Sequence, residues 1–143
     1  MPPHIAERNQ PIVDEFRANS GRVGGPFAGA PMVLLHHRGR RSGTDYISPM
    51  MYLRDGEDPQ TIYVFASAGG RPQSPSWYFN AVAAGSATVE VGTESYAVTV
   101  RELTGDERDR IFAEQAGRYS AFADYEQRTA GIRTIPVLAL RRS

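Results

Sequence analysis

The 143-residue sequence predicts an α+β fold in which about six mainly antiparallel strands curl into a barrel or strongly bent sheet, with helices packed outside. Two observations lead there. Six short runs rich in β-branched and aromatic residues follow one another, most of them joined by short turns. The helix-like stretches are too few to alternate with those runs, which excludes a doubly wound parallel sheet.

Taken in order, residues Pro11–Asn19 place Ile12, Val13 and Phe16 at helical spacing, and Gly21, Gly24 and Gly25 end that helix. Gly29-Ala30-Pro31 leads into a strand at Met32–His37. The turn Arg38-Gly39-Arg40-Arg41-Ser42-Gly43 joins it to a second strand, Tyr46–Leu53; glycine tolerates the positive φ that a sharp turn needs. A breaker-rich turn, Arg54 to Pro59, precedes a third strand at Thr61–Ala66. Ser74-Pro75 reads as an N-cap with proline at the first helical position, opening a helix to about Ala84. Thr88–Val91 and Tyr96–Arg101 flank Gly92-Thr93-Glu94 as a hairpin. Thr104 and Glu107 have the spacing of a capping box for a helix to about Gly117. A short helical segment at Ala121–Gln127 and a buried strand at Ile135–Leu140 complete the chain.

The length suits one domain over residues 1–143, large enough to bury a core without disulfides or a metal. With 16 basic and 16 acidic residues the formal net charge is zero, which argues against a general nucleic-acid binder. The chain has no cysteine, which removes disulfides, thiolate metal sites and a cysteine nucleophile, and fits a reducing cytoplasm. No run approaches the roughly 20 apolar residues of a membrane span. A cytoplasmic location is expected, with attachment to a membrane surface left open.

Against that neutral background, three arginines in one glycine-bearing turn, Arg38-Gly39-Arg40-Arg41-Ser42-Gly43, are the most informative local feature. A guanidinium grips carboxylate or phosphate with two parallel donors. Read alone, the turn fits either a binder of a small anion or a solvated arginine loop. His36 and His37 alternate across a strand and face opposite ways, so they cannot chelate one metal, and no metal is expected. One ring is expected to be buried, the other near solvent. Ser67 lies in no recognisable nucleophile motif. Trp77 reads as core or as site wall. Tyr119, Phe122 and Tyr125 share one helical face that packs on the barrel or borders a site. Arg133 is expected to bridge to an acidic neighbour.

Several segments in one order resemble a known family: Phe16 to Gly25, Gly39 to Gly43, Ala66-Ser67-Ala68-Gly69-Gly70, Pro75 to Asn80, the Tyr119…Phe122…Tyr125 series, and Arg133-Thr134-Ile135-Pro136-Val137. Together they resemble the deazaflavin-dependent nitroreductases, flavin/deazaflavin oxidoreductases with an FMN-binding split β-barrel-like fold. The resemblance covers Asn9 to Leu140. It implies coenzyme F420, a deazaflavin with a phosphate and an oligoglutamate tail. By that resemblance Arg40, Arg41, Ser42 and Gly43 would lie against the anionic tail, and Pro49, Met50 and Met51 would line the deazaflavin ring. Ala66, Ser67, Ala68, Gly69 and Gly70 would run along the cofactor's other side, with Trp77 and Asn80 on a bordering helix. Ser67, Tyr119 and Tyr125 would be hydrogen-bond donors at the reacting centre. Three positions depart from the family pattern: Tyr46 stands where a basic residue is common, Ala68 where a lysine is common, and Phe122 replaces a tyrosine.

The implied activity is hydride transfer from reduced deazaflavin to a small conjugated acceptor, whether quinone, nitroaromatic or activated enone. A lipid quinone as acceptor would bring peripheral membrane association. The rival readings are an FMN-dependent reductase of the same fold and a non-catalytic cofactor-binding protein. The oligomeric state is left open.

Overall fold

The structure is a computed structural model describing residues 2–143. Seven strands form one sheet: β1 (His4–Ile5), β2 (Met32–Arg38), β3 (Asp45–Arg54), β4 (Thr61–Phe65), β5 (Ser86–Val91), β6 (Glu94–Glu102) and β7 (Val137–Arg142). Their order is β1-β3-β2-β5-β6-β7-β4, and β4 returns to pair with β3. The strands β2 to β7 thus close into a six-stranded antiparallel barrel, while β1 adds to the outer edge of β3 as a parallel strand. Four α-helices lie around it: α1 (Gln10–Ala18), α2 (Ser76–Ala84), α3 (Gly105–Arg118) and α4 (Ser120–Thr129). None of the described helices is long and apolar enough to cross a membrane.

Strand alternation sorts the apolar residues into inner and outer sets. Val33 and Leu35 of β2, Ile62 and Val64 of β4, Val89, Val98, Leu138 and Leu140 form the barrel's interior. On the opposite faces, Tyr63, Phe65, Val137 and Ala139 pack against Ile111 and Phe112 of α3 and Phe122 of α4. Met32, Leu34 and Ile47 pack against Val13 and Phe16 of α1. Both faces of β2 and β4 are therefore covered, which is why those strands read as unbroken apolar runs.

The helix starts differ from the expected caps. Pro75, not Ser74, is the N-cap of α2, and the Ser74 hydroxyl accepts a hydrogen bond from Arg133 at 3.0 Å instead. Thr104 does stand at the N-cap of α3 but makes no side-chain capping bond. Its would-be partner Glu107 is held by Arg101 in two-pronged fashion, at 2.9 and 3.2 Å. In both places an arginine fork outcompetes the local cap. The last strand starts at Val137 because Pro136 has no N–H for a ladder. Strand β1 has only two residues, too short for any periodicity to mark it in the sequence.

Gly21 ties the α1 side to the β5–β6 hairpin. Its φ is +92°, and a Cβ there would lie 2.7 Å from the Gly92 Cα. Gly21→Ala is expected to destabilise the protein by on the order of 2 kcal/mol or more, from left-handed strain plus a backbone clash. Chemical denaturation of the two proteins measures it; a change below about 0.5 kcal/mol, the range of an ordinary surface substitution, would show that the contact is not rigid.

Candidate functional site

The barrel wall has a gap. Strand β3 pairs with β2 from Asp45 to Met51, but its other edge carries β1 only at Tyr46 and Ile47 and β4 only from Tyr52 to Arg54. Between them that edge of β3 is unpaired, and Pro49 sits there, at the kind of edge position where a residue without an N–H is tolerated. A groove of about 930 Å³ follows this gap. Its walls are the N-terminal segment (His4, Arg8), β3 (Tyr46 to Pro49), the turn after β4 (Ala68, Gly69, Arg71) and the start of α2 (Ser74 to Trp77). A second hollow of about 270 Å³ lies under the arginine turn and shares His37, Tyr46 and Ser76 with the first. The two form one continuous depression.

Its charge is one-sided. Arg8, Arg40, Arg41 and Arg71 line it and no carboxylate does. Arg38 is not part of this set, because it pairs with Asp45 at 3.1 Å. The lining suits a ligand that is flat at one end and anionic elsewhere. It therefore fits a deazaflavin cofactor with a phosphate and carboxylate tail, on charge and on size.

The arginine turn is held from below. The Asn80 Oδ1 accepts from both the Arg40 backbone N–H and its Nη1, each at 3.1 Å. The Asn80 Nδ2 meets His37 Nδ1 at 3.0 Å, and His37 Nε2 meets Ser48 Oγ at 2.9 Å. His37 stacks on Tyr46 with ring centroids 5.5 Å apart, and His4 meets the same tyrosine edge-on at 5.6 Å. Gly39 leaves room at the base of the turn for the Ser42 hydroxyl: a Cβ would lie 2.5 Å from its Oγ and 3.1 Å from the Tyr46 ring, and the hydroxyl would have to move. That hydroxyl accepts from the Thr44 N–H at 3.2 Å and closes the turn.

The turn after β4 has an unusual backbone. Ala68 has φ +47°, followed by Gly69 at +63° and Gly70 at +81°. A non-glycine residue in that region carries strain of about 1 kcal/mol or more. Arg133 supplies the compensating grip. Its guanidinium donates to the carbonyls of Ala66 (3.1 Å), Ser67 (2.9 Å) and Arg71 (3.1 Å) as well as to Ser74. The acidic partner expected for Arg133 is thus replaced by carbonyl oxygens, and burial pulls its pKa below the usual arginine value.

Of the residues singled out in the sequence, Arg40, Arg41, Ser42, Pro49, Ala68, Gly69, Trp77 and Asn80 converge on this depression. Trp77 also packs on the interior cluster, so it is both core and wall. Met50 and Met51 pack into the barrel's clusters. Ala66 is buried beneath the turn, Ser67 is half-buried, and Gly43 is exposed at the end of the arginine turn. Gly70 faces α4, where an added Cβ would lie 3.4 Å from the Tyr125 Cα. Tyr119 and Tyr125 pack around Phe122 on the outer cluster, with ring separations of 6.5 and 5.3 Å, and neither lines the groove. Sequence reasoning did not single out Ser48, Arg8 or the bonding of His37. The available signal was strand alternation, which puts Tyr46 and Ser48 on one face; the register pairs Tyr46 with His37.

A small closed barrel with a cationic, carboxylate-free side groove has the form of a cofactor-dependent oxidoreductase of the split-barrel class. The sequence model of the F420H(2)-dependent quinone reductase family matches residues 8–142. An F420H(2)-dependent quinone reductase of Mycobacterium tuberculosis is 32% identical over 134 residues, covering 89% of this chain and 85% of that protein. A solved F420-H2 dependent reductase, FDR-A, is 33% identical with a TM-score of 0.67, covering 78% of this chain and 94% of that one. A solved domain-swapped dimer is 29% identical with a TM-score of 0.68, covering 94% of this chain and 95% of that one. The chain belongs to the F420H(2)-dependent quinone reductase family. It is an oxidoreductase whose cofactor is coenzyme F420 and whose second substrate is a small molecule.

Burial lowers the His37 pKa from 6.5 to about 4, and the neighbouring His36 adds to the effect. The ring is therefore neutral in the folded protein at pH 7, as its contact with the Asn80 amide requires. Unfolded His37 takes up a proton below pH 6.5 while the folded ring does so only near pH 4. Stability from this residue is complete above pH 6.5 and is lost as pH falls toward 4, by roughly 3 kcal/mol. His37→Asn removes the titration, so its stability should fall less steeply between pH 6.5 and 4 in urea unfolding series. Parallel pH slopes for the two proteins would place the titration elsewhere.

Proposed function

We propose that the chain passes a hydride from reduced coenzyme F420 to a quinone, and that the cofactor lies in the groove beside β3 with its anionic end at the arginine turn. One observation carries this placement: four arginines and no carboxylate line a depression that runs from the barrel gap to that turn. The relatives named as quinone reductases support the choice of acceptor.

Coenzyme F420, when bound in its reduced form, would supply a hydride, which together with one proton would convert the acceptor to its two-electron reduced form. The protein's own work is binding and orientation. Arg40 and Arg41 present forked donors to phosphate and carboxylate oxygens. The turn at Ala68–Gly69, with its left-handed backbone, offers amide N–H groups to carbonyl oxygens on a ring. Pro49, Pro75 and Trp77 supply apolar wall and exclude water from the same groove. Arg8 and Arg71 add positive charge where the family's usual lysine is replaced by Ala68, and favour negative charge developing on the acceptor. Ser67, in the turn after β4, and Tyr119 and Tyr125, at α4, do not line the groove as it stands.

Replacing Arg40 and Arg41 together by alanine is expected to weaken coenzyme F420 binding by roughly 1.5–3 kcal/mol for each charged hydrogen bond lost. Fluorescence titration of the two proteins, with FMN as a parallel ligand, measures this. Unchanged F420 affinity in the double variant, or FMN bound more tightly than F420, would reject the placement. Turnover is read from the loss of reduced-deazaflavin absorbance on adding menadione or a nitroaromatic. Faster reduction of the nitroaromatic would reject the quinone as preferred acceptor.

A further inference from the structure

We propose that His37 is a positioning residue for the cofactor's anionic end, acting through Asn80 on Arg40; this rests on the placement of that end at the arginine turn. The hydrogen bonds admit only one assignment of roles. Asn80 Oδ1 already accepts two donors from Arg40, so the amide's nitrogen must be the group that faces His37. An inverted amide would set its NH₂ against two further donors. His37 Nδ1 must then offer a lone pair, which puts the imidazole proton on Nε2, where it is donated to Ser48 Oγ. Each member has one workable orientation, dictated by the next.

The chain is also largely buried. His37 is 8% exposed and Asn80 4%, so water replaces a lost partner poorly. Stacking on Tyr46 holds the ring plane. At the far end, Arg40 is exposed but not loose, because its Nη1 is tied to Asn80 and its guanidinium lies 5.1 Å from the Phe79 ring centroid. Its backbone N–H is tied as well, so Asn80 fixes both the turn and the direction of the fork. A fork held in place before binding loses less freedom when an anion arrives. The relay thus converts a surface arginine into a preorganised anion donor, with its inner end at Ser48, 11 residues on from His37 across the β2–β3 pair.

The test compares His37→Asn with His37→Gln. In the first, an amide oxygen stands where Nδ1 stood and still accepts from Asn80; in the second, the amide reaches toward Ser48 and leaves Asn80 without its acceptor. F420 affinity by fluorescence titration should stay within about twofold for His37→Asn and fall about tenfold for His37→Gln, the effect of one lost hydrogen bond. At saturating cofactor, kcat should be unchanged in both, so that the loss appears only in the cofactor's KM. Arg40→Ala combined with His37→Gln should weaken binding no further than Arg40→Ala alone. Equal affinity for the two His37 variants, additive effects in the double variant, or a loss in kcat instead of KM would overturn the relay. If the His37 variants are silent while Arg40→Ala weakens binding, the relay fails and the turn placement survives. If Arg40→Ala and the Arg40/Arg41 double variant are silent as well, both fail together.

Discussion

The constraint on which the rest depends is the way β3 is shared. One strand must pair along β2, close the barrel against β4 and carry β1 on the same edge as β4. It meets these demands by giving its end to β4 and its beginning to β1, and the residues between have a partner on one side only. Unpaired strand edges are normally covered or blunted. Here Pro49 blunts the edge, and the turn after β4 together with the start of α2 stands across from it, leaving a groove rather than a closed seam. The cavity is a consequence of barrel closure, and the arginine turn opens at its end because the same β2–β3 hairpin forms both.

Arginine does two separate kinds of work in this protein. Arg101, Arg108 and Arg133 are structural. Arg133 gathers three carbonyls of the turn after β4, and Arg108 donates twice to the Ile135 carbonyl, at 3.1 and 2.9 Å, while lying over Phe112. Buried carbonyls without partners would cost more than the desolvation of a guanidinium that satisfies several at once. The second group, Arg8, Arg40, Arg41 and Arg71, faces the depression with no carboxylate in its lining. A neutral protein can therefore present a strongly basic groove, because its acids are spent elsewhere: Asp45 on Arg38, Glu90 on Arg17 and His36, Glu107 on Arg101.

The two adjacent histidines show how burial divides chemically identical side chains. His36 faces Glu90 at 2.5 Å on the half-exposed side of β2, and Arg17 grips the same carboxylate. His37 faces inward, stays neutral and joins the hydrogen-bond chain to the arginine turn. Alternation along a strand makes the division legible; which side is the dry one is set by what packs there.

The primary structure determined the six barrel strands, the arginine turn and the family, because alternation, glycine-bounded turns and short ordered signatures are local properties that survive without knowledge of contacts. The cap at Ser74 was misjudged because an arginine far along the chain, Arg133, takes the serine oxygen, and sequence spacing carries no record of it; Thr104 is the N-cap as read, but without capping-box bonds, because Arg101 holds Glu107. Strand β1, the place of Arg8 in the groove wall and the His37–Asn80–Arg40 chain were decided only by tertiary structure. The hydrogen bonds of that chain join residues up to 43 positions apart, and a hydrogen bond of about 3 Å depends on strand register and helix placement, which only the packed core specifies.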